Sequence, residues 1–265
     1  MDHVDEGIRS GKLLKRHIQR VASSIPEVSS DLAVSYFFFV KCLTSLKAVR
    51  VLWSERLFQD AVIVARSIFE AHLQYLYIRT DPVRLTQKYL DRELAARREF
   101  SVGIIRSSTA RNGATWGRKK WVVAAQFYGS ASRQTPHNAN DSQGWSGKSL
   151  REIARLLDRK RSRGRKGEGF WSDYEFFYRL ASAVTHTGAM SIQEYMKQPL
   201  LTRYRQLSSH RRYFREIPAL ACIWSLDIGR WCARSHLKAV RDYDLARVTI
   251  DTEHFLLSVE RSIRA

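Results

Sequence analysis

Arg179 and His186 stand seven positions apart in the stretch FFYRLASAVTHTG, residues 176–188. These two side-chain types can work on a phosphodiester together. A guanidinium grips phosphate oxygens through charge-assisted hydrogen bonds, and an imidazole moves protons near neutral pH. On a helix each residue turns about 100°, so seven positions return to within about 20° of the start. Ser182 falls near the same face, three after Arg179 and four before His186.

The spacing alone carries little information in an arginine-rich chain. Arg66/His72, Arg205/His210, Arg230/His236 and Arg247/His254 show similar gaps. Five or six positions land on another side of a helix, so only Arg179/His186 and Arg247/His254 would share a face. In the second pair, Thr249, Ile250 and the cap-like Asp251 predict a helix start in its midst. Arg179/His186 is therefore the pair expected on one unbroken helix. Phe176, Phe177, Leu180, Ala181, Ala183 and Val184 surround it with apolar groups, which predicts burial. Arg179 and His186 must then meet partners, line a cleft or lie at a subunit interface.

A second apolar stretch, VARSIFEAHLQYLYI, has the same character. Gln59, Arg66, Glu70 and Gln74 fall on one narrow stripe, and Arg66 and Glu70, four apart, can pair. Two readings stay open. One is a buried ion pair holding two helices in register; the other is a device by which Glu70 or Arg66 orients His186 across the helix interface.

These residues need elements to position them. The chain has 265 residues, is 44% hydrophobic, and holds only five prolines and thirteen glycines, so long helices dominate. The expected fold is all-α, a multi-helix bundle. Residues 1–28 read as an N-terminal arm or helix, and 29–265 as a single helical domain. Helices are expected over about 31–54, 56–79, 82–105, 147–158 and 170–187, then a long one after Pro199 with a bend at Pro218, and a last one over 251–263. Between 106 and 147, Ser, Asn, Gly and Arg predict a long irregular insertion, interrupted by a short helix at 119–128.

The formal charge of +19 attracts polyanions. The run RKRSRGRK places six basic residues in eight: Arg159, Lys160, Arg161, Arg163, Arg165 and Lys166, read as a basic loop. Lys119 and Lys120 add charge in the insertion. Trp116, Trp121, Phe127, Tyr128 and Trp145 could stack bases there or pack the insertion onto the bundle. Cys42, Cys222 and Cys232 form neither a metal-spaced pair nor an even disulfide set, which points to a reducing cytoplasm. The most apolar run, LAVSYFFFVKCLTSLKAVRVLW, is broken by Lys41, Lys47 and Arg50, so no membrane partner is expected. No metal-ligand spacing and no cofactor motif are found.

Together, ARSIFEAHLQYLYI, then WSGKSLREIARLL, then FFYRLASAVTHTG resemble an uncharacterised bacterial family of helical domains, over roughly residues 55–235. Its signature is an Arg-x-x-x-Glu helix followed by Tyr, Ser and His at four-residue steps, which here fall on Arg66, Glu70, Tyr178, Ser182 and His186. The same helix is similar to that of the HEPN superfamily, which includes many ribonucleases of toxin–antitoxin and phage-defence systems. The HEPN motif is Arg, four to six residues, then His, and Arg179 with His186 match its longest form. Leu180 departs from the polar residue often found after the Arg. Gly188 stands where some members carry a modifiable Tyr.

The resemblance implies a metal-independent endoribonuclease. His186 would be general acid or base at the ribose 2′-hydroxyl, and Arg179 would bind the scissile phosphate and its transition-state charge. Ser182 and Tyr178 would bond the phosphate or position the imidazole. It also implies a homodimer with two motifs facing one cleft, acting in phage defence or as a toxin, with a larger defence assembly as a further partner. Two other readings remain: a non-catalytic nucleic-acid-binding protein, and a regulatory subunit whose charge meets an acidic partner.

Overall fold

The computed structural model describes residues 2–110, 145–161, 169–178, 181–182 and 207–264. For 97–110, 160, 161, 172, 176, 207–215 and 264 the description is of the backbone alone. The fold is an all-α multi-helix bundle, with no strand among the described residues.

The described chain divides into two compact units, residues 1–77 with 153–265, and residues 78–152. Residues Asp2–Ser23 form a helix, α1, that belongs to the first unit. Val4, Ile8, Leu14, Ile18 and Val21 recur every three or four positions and are buried, so one face of α1 supplies core.

The second helix, α2 (Ser30–Ser54), buries Phe38, Phe39, Cys42, Leu43, Leu46 and Val49. Ser29 occupies the N-cap position, but its hydroxyl donates to Asp31 (2.6 Å) and makes no cap bond to the backbone. By length and composition α2 is apolar enough to cross a membrane, and half of that apolar window is buried inside the bundle. Of the charges that interrupt it, Arg50 donates to Asp5 of α1 at 2.9 Å. The next helix, α3 (Phe58–Ile78), follows a turn in which Arg56 takes φ 60°. Ala61, Val62, Ala65, Ile68, Phe69 and Leu73 are buried along it.

Two long helices complete the centre of the first unit. The first, α7 (Leu207–Ala239), packs against α1, α2 and the last helix, α8 (Tyr243–Arg264). Pro218 lies inside α7 and does not end it. Gly229 lets α7 approach α2: a Cβ there would lie 2.4 Å from the Phe39 ring. The expected start of the last helix near Asp251 is corrected by eight residues. Asp242 caps α8 by accepting from the Leu245 N–H at 2.7 Å. Thr249 and Thr252 sit inside the helix, where their hydroxyls donate to Leu245 O and Val248 O. Arg247 and His254 therefore do share an unbroken helix.

The second unit holds α4 (Pro82–Ala110), which continues five residues into the stretch expected to be irregular. Trp145, offered as a base stacker, stands edge-on to Tyr89 at 5.3 Å. Ser149 and Glu152 cap the start of α5 (Leu150–Arg161) reciprocally: Glu152 N donates to Ser149 Oγ, and Ser149 N donates to Glu152 Oε2. The expected helix at 119–128 lies outside the described residues.

Candidate functional site

The segment that precedes Arg179 begins as a short helix, α6 (Phe170–Asp173), and passes directly into a π-helical turn, Tyr174–Tyr178. The regular register expected over 170–187 is thus corrected at its start. A π-turn takes in an extra residue, so a count at 100° per residue fails across it. Its start is fixed from α5. Asp158 accepts from both the Phe170 and Trp171 N–H groups, each at 2.8 Å. Gly169 makes this approach possible, because a Cβ there would meet Asp158 Oδ1 at 2.5 Å.

Phe177 anchors the segment to the core. It packs against Trp224 of α7 at 5.0 Å and edge-on to Phe69 of α3 at 5.9 Å. Tyr178 then meets the polar stripe of α3. Arg66 Nη2 donates to the Tyr178 hydroxyl at 3.0 Å, and Arg66 Nε donates to Glu70 at 2.9 Å. The guanidinium carbon also lies 4.7 Å from the centre of the Tyr178 ring, within reach of a cation–π attraction.

These side chains are only partly open, 15% for Arg66 and 30% for Glu70. Burial opposes the Arg66 charge, but the Tyr178 hydrogen bond and Glu70 outweigh it and hold its pKa above the ordinary value. Burial, then the Glu70 charge, pushes the Tyr178 hydroxyl up, while Arg66 pulls it down. The hydroxyl therefore stays protonated around neutrality and can accept from Arg66.

The structure thus brings together three of the expected residues, Arg66, Glu70 and Tyr178. Ser182 is a half-buried helical residue. Arg179 and His186 lie outside the described residues, as do Lys119, Lys120, Arg163, Arg165 and Lys166. Lys160 and Arg161 close helix α5 with Arg159, whose side chain is exposed, so the first part of the basic run is helical and not a loop.

A sequence profile of a family of unknown function, DUF5677, matches residues 32–199. The chain belongs to this family. The DUF5677 span takes in α2 from Leu32 onward, α3 and every position of the Arg66, Glu70, Tyr178, Ser182 and His186 series. No curated protein and no solved structure matches the chain.

Several residues went unseen in the sequence. Trp171 stacks on Tyr174 (centroids 5.9 Å, 15° between planes), and Tyr174 on Tyr178 (4.8 Å, 17°). Arg155 of α5 lies over Trp171 at 4.1 Å. Elsewhere in the first unit, His72 Nε2 lies 2.9 Å from Asp227 Oδ2, and Arg230 donates to the other carboxylate oxygen. Burial pushes Asp227 up, but His72 and Arg230 outweigh it and hold its pKa below the ordinary value. The aromatic spacing of 171, 174 and 178 was readable as one side of a helix. The partnerships with Arg155 and between His72 and Asp227 leave no mark in local sequence.

Proposed function

We propose that this DUF5677 chain is a metal-independent endoribonuclease of HEPN type that acts on RNA in the cytoplasm. Arg179 binds the scissile phosphate and His186 moves the proton of the ribose 2′-hydroxyl. The 2′-oxygen attacks phosphorus, the bond to the 5′-oxygen breaks as the proton taken up by histidine passes to that oxygen, and a 2′,3′-cyclic phosphate and a 5′-hydroxyl result. Two copies of the chain, each contributing Arg179 and His186, form the cleft.

The observation that supports this reading is the Arg66–Glu70–Tyr178 network. Tyr178 is the residue immediately before Arg179, and its ring and hydroxyl are both held by Arg66. Such a network acts as a positioning device, fixing the backbone from which Arg179 departs. The large positive charge supplies attraction for RNA.

The test is cleavage of an unstructured RNA in EDTA by the wild-type chain, His186→Ala and Arg179→Ala. The wild type should yield cyclic-phosphate ends, and both variants should lose activity by at least about a hundredfold. Cleavage by His186→Ala at the wild-type rate removes the histidine from the mechanism. A second reading, a nucleic-acid-binding protein without cleavage, draws on the fact that Arg66 bonds both Glu70 and Tyr178, as in a structural clasp. Binding without cleavage by any of the three proteins favours it.

A further inference from the structure

The contacts Arg155–Trp171–Tyr174–Tyr178–Arg66 form one continuous ladder of cations and aromatic rings. The two ends differ. Arg66 is tied to Glu70 and Tyr178 and only 15% exposed. Arg155 is an exposed side chain on α5, and Arg159, one turn further along the same helix, is exposed as well. Trp171 and Tyr174 are themselves partly open to solvent. Three rings stand nearly parallel, tied to the core by Phe177 and at their start by Asp158.

We propose that the Trp171 end of this ladder is a stacking platform for single-stranded RNA, with Arg155 and Arg159 supplying its phosphate contacts. A base stacks on the Trp171 indole, and the Arg155 guanidinium moves from the ring to a neighbouring phosphate. The exchange is favourable on general grounds. A base stacked on an aromatic ring contributes more than an exposed cation–π contact, and the displaced arginine recovers a charge-assisted bond. Because every base has a flat face, such a platform is tolerant of sequence. The proposal deepens the ribonuclease reading by giving its substrate a single-stranded, base-stacked form, and it rests on that reading for RNA as the ligand.

Stacking and phosphate contact respond differently to salt, which makes the two halves separable. The probe is a short oligoadenylate with 2′-O-methyl sugars, so that cleavage cannot disturb binding, titrated by fluorescence anisotropy at several salt concentrations. Trp171→Ala should weaken binding by about tenfold with its salt slope unchanged. Trp171→Phe, which keeps a ring, should restore most of the affinity. Arg155→Gln, an exposed change that leaves the fold intact, should lower the slope by about 0.7. Wild-type affinity in both Trp171→Ala and Arg155→Gln overturns the platform, as does absence of binding by the wild type. Cleavage of unmodified RNA, scored separately, decides the ribonuclease reading whatever the platform result.

Discussion

Arg66 binds Tyr178 twice, through a 3.0 Å hydrogen bond to its hydroxyl and through a guanidinium lying 4.7 Å from the centre of its ring. The two contacts join residues 112 positions apart in sequence. They also can be removed one at a time, because the ring survives a change that deletes the hydroxyl.

Tyr178→Phe should therefore cost about 1 kcal/mol of stability, the net worth of one hydrogen bond, and Tyr178→Ala about 3 kcal/mol, since the ring and its stack go too. Urea unfolding of both variants measures the difference. Equal losses would mean that the ring contributes nothing. Under the proposed function, Glu70→Gln and Tyr178→Phe should also slow RNA cleavage by about tenfold to a hundredfold through misplacement of Arg179.

The same hydroxyl makes stability depend on alkaline pH. Burial and the Glu70 charge raise its pKa above the ordinary value of about 10. The folded chain then holds that proton to higher pH than the unfolded chain. Its contribution is complete below about pH 10 and is lost as pH rises through the folded-state value. The fall in unfolding free energy above pH 10 should be shallower in Tyr178→Phe than in the wild type.

Asp242 gives the opposite sign at the acid end. The Leu245 N–H above all, with Arg20 beside it, holds its carboxyl below the ordinary range against the opposing effect of burial. Arg20 meets Asp242 at 2.9 Å and Asp244 at 3.1 Å. The stabilisation is present above about pH 4 and is lost as pH falls through the folded-state value. Asp242→Ala should cost about 1 kcal/mol near pH 7 as a lost helix cap. The gap from wild type should close on acidification.

Two backbone positions predict changes of opposite direction. Gly229→Ala places a methyl 2.4 Å from the buried Phe39 ring and should destabilise by about 1–3 kcal/mol. Arg56, at φ 60°, lies in the left-handed region that glycine occupies without strain, so Arg56→Gly should stabilise by about 0.5–1 kcal/mol. Thermal melts of the two variants should move in opposite directions. A lowered midpoint for Arg56→Gly would show that the side chain contributes more than the strain it imposes.

Much of the bundle was legible because apolar runs and breakers coincide. Asp81 and Pro82 mark the gap between α3 and α4, and the long apolar run from Leu32 marks α2. The Arg66–Glu70 pair was legible too, since four positions return to one face. The start of α8 was misread because Thr249 and Ile250 are β-branched and Asp251 resembles a cap. The threonine hydroxyls in fact bond within the helix, and the true cap, Asp242, stands two positions before another aspartate, Asp244. The π-turn at Tyr174–Tyr178 was invisible, because an inserted residue changes register without changing composition. The resemblance grouped Tyr178 with Arg66 without pairing them, and their contact was not legible, since helical periodicity says nothing about contacts between distant segments.

Asp158 has a consequence for engineering. One carboxylate fastens the end of α5 to the first two amides of α6, with 2.8 Å bonds to Phe170 and Trp171. The chain leaving α5 and the chain entering α6 are thereby cinched together independently of the residues strung between them. Any redesign of the start of α6 must therefore keep a carboxylate at position 158.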